Sequence, residues 1–203
     1  MSQQENQINV NSNNNSSSMD AEILEQGDIY FFYRPKKGAE EVKGIEDVRR
    51  FFMVTAPEQE ENNNNSKSQL YRLFVIGKKS LPEIRKSEAR TSERYWARVG
   101  GIFTDPNEFT KDLFSDEFRK GDAARPVGEG KYAIIVKHHQ NHAELAYILE
   151  MPKDPGEAQR ELGIEKEASY IVSVINLDDH PHVCKYPEDV FLFVVKSKLF
   201  IHE

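Results

Sequence analysis

The sequence predicts an α+β domain: a mostly antiparallel β-sheet, strongly bent or partly closed, with two main helices. Three observations carry this. About eight strand-like runs are joined mostly by short polar loops, which favours antiparallel pairing. Only two segments carry well-marked helix starts, too few for the regular strand–helix alternation of a doubly wound sheet. And "GDIYFFYRPKKG", Gly27 to Gly38, reads as a strand with aromatics on both faces. Ile29, Phe31 and Tyr33 share one face, and Tyr30, Phe32 and Arg34 share the other. Such a strand is either covered on both sides or has one face in a core and the other lining a pocket.

The elements follow in order. Residues 1–20 are rich in Asn, Ser and Gln and cannot bury enough apolar surface to offset the entropy of ordering, so they are expected to be a disordered tail. Residues 21–203 are expected to form a single domain. After the opening strand, "RRFFMVTA" (Arg49 to Ala56) and "LYRLFVIG" (Leu70 to Gly77) flank a polar tract, 57–69, which reads as an elaborated hairpin loop. Further strands are expected at Arg94–Phe103, Lys131–His139, Ala143–Met151, Ser169–Leu177 and Val190–Val195, with a last one over Lys198–His202. "QNH" between the runs Lys131–His139 and Ala143–Met151 has hairpin length.

Both helices begin with the same grammar. In "TDPNEFTKDLFSDEF", Asp105 is the N-cap, Pro106 the first helical position and Glu108 the capping-box partner, with Phe109, Leu113 and Phe118 on one face. In "KDPGEAQRELG", Asp154 caps, Pro155 opens and Gly163 stops the helix. A short third helix is expected over Leu81–Glu88.

Composition excludes several function classes. No apolar run reaches the roughly 18–20 residues that span a bilayer, and the N-terminal stretch is neither a secretory signal nor a transit peptide. The lone cysteine, Cys184, rules out an internal disulfide framework, so a cytoplasmic location is expected. A net charge of −7 is unlike a domain that grips double-stranded DNA. No nucleotide fingerprint, nucleophile elbow, zinc-protease or kinase motif occurs. Gly128 and Gly130 in "ARPVGEGKY" precede a strand rather than a helix, the reverse of a phosphate-cradling loop. No cofactor and no catalytic pair is therefore expected.

Charge is uneven along the chain. Residues 67–98 hold nine basic and three acidic side chains, a net of about +6 within a chain of −7. There the basic residues alternate with rings: Tyr71, Arg72 and Phe74, then Arg94, Tyr95, Trp96 and Arg98. Arg beside stacking rings suits single-stranded nucleic acid or a phosphorylated small molecule. Tyr30, Phe32, Arg34, Arg94, Trp96 and Arg98 are the candidate contacts of a module binding an anionic ligand, a nucleotide or RNA. The plainer reading makes the rings core and the charges solvated edges.

The histidines suggest an alternative, a metal-dependent enzyme. "DDHPHVC" places His180, His182 and Cys184 at alternate positions, and His138 and His142 lie in the other histidine group. All are zinc-ligand types. Against this, Pro181 breaks strand geometry, and His138 and His139 face opposite ways on a strand. A third reading is a protein–protein adaptor with exposed aromatics.

Four stretches, "GDIYFFYRPKKGAEEV", "RLFVIGKKSLPEI", "ARPVGEGKYAI" and "LAYILEMPKDPGEAQRELGIEKEASYIVSV", resemble a family of prokaryotic proteins of unknown function over roughly residues 27–174. "GDIYFFY" followed by further strands also resembles PUA-like barrels such as EVE domains. That second resemblance implies a barrel with a pocket for a modified base, and it assigns no pocket residue here.

Overall fold

A computed structural model describes residues 21–39, 42–59, 69–83, 94–114, 123–137, 143–175 and 192–197, of which 94–96, 112, 114, 137, 173–175 and 192–197 by backbone alone. Eight strands run β1 (Ala21–Pro35), β2 (Val48–Pro57), β3 (Tyr71–Ile76), β4 (Arg94–Phe103), β5 (Arg125–Lys137), β6 (Ala143–Met151), β7 (Glu167–Ile175) and β8 (Leu192–Ser197). All pairings are antiparallel. Seven strands form one continuous sheet in the order β4-β3-β2-β1-β5-β6-β7. The six-residue β8 pairs with both β4 and β7, so the ring closes through it.

Helix α1 covers Pro106–Phe114, and the rest of the expected helix lies outside the described residues. Helix α2 is shorter than the sequence predicts and covers only Glu157–Glu161. Asp105 caps α1 as expected, its carboxylate accepting the Asn107 N–H at 2.8 Å. For α2 the expectation is corrected. Its N-cap is Gly156, not Asp154, and the Gly156 N–H donates to the Gln159 side chain at 3.0 Å. Gly163 does end it, at φ +69°, where a Cβ would also come within 2.6 Å of the Leu81 carbonyl oxygen. No helix covers residues 81–83, and 84–88 lie outside the described residues, as do Phe118, the loop at 60–68 and the strand expected at 198–202.

Strand β1 sets the layout because it alternates cleanly. Ile29, Phe31 and Tyr33 are buried inside the ring, while Tyr30 and Phe32 are half-buried on its outside. The interior core adds Phe51, Met53, Phe74, Tyr147, Leu149 and Tyr170. Phe31 stacks on Phe51 at 6.1 Å between centroids and meets Tyr147 edge-on at 5.2 Å. Eight strands leave a bore that side chains fill. What stays open is a cavity of about 50 Å³ lined by Thr55, Tyr147, Tyr170 and apolar neighbours. That is far below the few hundred Å³ of a ligand site.

A second core lies outside the ring, where Phe52, Val54, Leu73 and Val75 meet Phe109 and Leu113 of α1. Phe109 seats against Tyr71 and Phe103, with centroids at 5.1 and 6.2 Å. The opening strand thus has aromatics on both faces because each face has a core of its own.

Candidate functional site

The outer face of β1 is not wholly covered by α1. Beside that helix lies a groove of about 560 Å³, within the range of small-molecule sites. Tyr30 and Phe32 form one wall, Pro126 to Glu129 of β5 the floor, and Met151, Pro152 and Gln159 the far side. The register explains the grouping: Tyr30 pairs with Glu129, and Glu129 with Met151, so one row of residues crosses three strands. Gln159 fixes the α2 bank by donating its amide to the Val127 carbonyl at 2.7 Å.

The groove has a definite polarity. Among the described residues Glu129 is the one charged residue in its lining, and no Lys or Arg joins it there. The nearby cation, Lys131, is tied to Asp28 across the strands at 2.5 Å. The Tyr30 hydroxyl is raised above its usual range by burial, then by the charges of Asp28, Glu129 and Tyr71, which Lys131 only partly offsets.

The residues singled out from sequence are not gathered in one place. Tyr30 and Phe32 line the groove. Arg34, on the same face, is buried under α1: it donates to the Leu113 carbonyl at 2.9 Å and lies over the Phe52 ring at 5.7 Å. Arg34 thus anchors the helix. Arg94, Trp96 and Arg98 belong to β4, separated from β1 by β2 and β3, about 14 Å at the usual strand spacing. The strip that would join both triplets is therefore not formed. Arg98 is half-buried, and its backbone pairs with Val75 and Leu192. Within the basic segment, Tyr71 packs on α1 and Phe74 is interior core.

Arg72 has a partner that sequence reading did not supply. Both of its terminal nitrogens donate to the Glu25 carboxylate at 2.5 Å, and the Tyr132 hydroxyl donates to the same carboxylate at 2.6 Å. Burial, the largest single influence on Glu25, would raise its pKa. The hydrogen bonds from Arg72 and Tyr132 and the Arg72 charge outweigh it and hold the group below the usual carboxylate range. Tyr132 is pushed well above its usual range, first by burial and then by the Glu25 hydrogen bond.

His138, His142, His180, His182 and Cys184 lie outside the described residues. Among the described residues no cluster of His, Cys, Asp and Glu could hold a metal ion, and no helix is long and apolar enough to cross a membrane.

The groove residues missed from sequence are Glu129, Met151 and Gln159. Nothing local marks them, since they come from three elements that only the β1–β5–β6 pairing and the α2 turn bring together. No family model, no curated protein and no solved structure matches this chain.

Proposed function

We propose that the protein is a binding module whose ligand is a small molecule with an apolar body, laid in the outer groove against Tyr30 and Phe32. The observation that carries this reading is the groove itself. A well-packed barrel needs no half-covered aromatic wall beside a depression of about 560 Å³, and concave, mostly apolar sites with few polar groups are the usual form of ligand pockets. A nucleotide or RNA has less in its favour: among the described residues no cation lines the groove, and Arg34 is engaged with Leu113. A cytoplasmic location, drawn from the single cysteine, remains part of the same reading.

A thermal-shift screen of a small-molecule fragment collection tests it. Fragments that stabilise the protein should lose their effect in Tyr30→Ala and Phe32→Ala and keep it in Arg98→Ala. Hits that survive both groove substitutions would place the site elsewhere and overturn the proposal.

A further inference from the structure

Resting on the groove as the binding site, we infer that its ligand carries a positive charge: a small organic cation such as an alkyl- or arylammonium group. Three independent features of the lining converge on this. Two aromatic side chains, Tyr30 and Phe32, form one wall, and the faces of such rings attract cations. Met151, 61% exposed at the groove edge, adds a polarizable thioether. The one charged lining residue is the carboxylate of Glu129, for which no ion-pair partner occurs among the described residues.

The surroundings do not cancel that charge. Lys131, on the same face of β5, spends its ammonium on Asp28. Arg72 and Arg98, the arginines of the basic segment whose side chains are described, belong to β3 and β4 and do not line the groove. An anion in this groove would meet Glu129 with nothing to compensate. A neutral apolar ligand would leave Glu129 unused. A cation with an apolar body satisfies the rings and the carboxylate together, and the exposed Pro126 of the floor meets its carbon skeleton.

The test uses the full chain and three soluble probes: choline, its uncharged isostere 3,3-dimethyl-1-butanol, and adenosine monophosphate as an anion. Binding is followed by NMR shifts of Tyr30, Phe32 and Gln159. Choline should move these signals with a dissociation constant about tenfold below that of the alcohol. Glu129→Gln, a change at an exposed position that leaves the core intact, should bring the two within about twofold. Equal affinity of choline and the alcohol would leave the groove as the site and sink the charge inference. Adenosine monophosphate binding there more tightly than choline would reverse its sign. If no probe moves the groove residues, the binding-site reading falls, and this inference with it.

Discussion

Truncating Phe31 and Phe32 separately should give very different costs, although the two are adjacent in sequence and identical in chemistry. Phe31 is fully buried inside the ring, in ring contact with Phe51 and Tyr147. The barrel wall around it is hydrogen-bonded on both sides and cannot collapse into the space. Phe31→Ala should therefore cost about 3–5 kcal/mol, the figure for a core aromatic replaced by a cavity. Phe32 is half-buried at the border between the α1 core and the groove. Part of its surface stays in contact with water in the native state, and truncation opens onto the groove rather than leaving a sealed cavity, so Phe32→Ala should cost about 1–2 kcal/mol. For a chain of this size each kcal/mol shifts the melting temperature by about 2–4 °C. The first variant should then melt roughly 10 °C or more below the parent and the second a few degrees below it. Urea unfolding followed by circular dichroism gives the free energies directly, provided the slope with urea is unchanged. Equal costs for the two variants would mean that both faces are sealed, and the division of β1 into a core face and a groove face would be wrong.

Other consequences follow from named contacts. Arg34→Met should destabilise by about 1.5–3 kcal/mol in urea melts, because the buried Leu113 carbonyl loses a charged donor, whereas an open anion-binding arginine could be removed at little cost. The depressed Glu25 carboxyl binds its proton more readily in the unfolded chain than in the folded one. Its contribution is thus present above the unfolded pKa and lost as pH falls through the lower folded value. Glu25→Gln should flatten the acid limb of the stability–pH curve, and an unchanged limb would show that the Arg72 pair contributes nothing. Replacing Gly163 with Ala should cost well over 1 kcal/mol in the same melts, since that position needs a positive φ and its Cβ would meet the Leu81 carbonyl.

The strand plan could be read from the sequence because it is local. Short apolar runs rich in aromatic and β-branched residues, bounded by polar or turn residues, mark β2, β3, β4 and β6 closely, and Asp105-Pro106 marks the start of α1. What could not be read depends on distant partners. Residues 21–26, "AEILEQ", carry no strand signature, yet they extend β1 because Ala133 to Lys137 of β5 pair alongside them. Helix α2 begins late because Gln159 ties its first turn to Val127, a contact the Asp154-Pro155 motif cannot announce. The doubly aromatic strand supplies one wall of the groove, through Tyr30 and Phe32. The expected partnership of Tyr30 and Phe32 with Arg94, Trp96 and Arg98 assumed that β1 and β4 are neighbours, and strand order is a long-range property. Arg34 looked like an anion contact because its chemistry allows it. Only the packing of α1 shows that the guanidinium is used to hold a helix end.

The central claim is that ligand binding occurs on the outer groove of β1, β5 and β6, and neither in the bore of the barrel nor on β4. Crystals soaked with the strongest hits of a fragment screen of mixed charge test this most directly. Density is expected between Tyr30, Phe32, Glu129 and Gln159, with the cationic hits prominent. Density that clusters instead beside Arg98, or within the cavity of Tyr147 and Tyr170, with the groove empty, would contradict it.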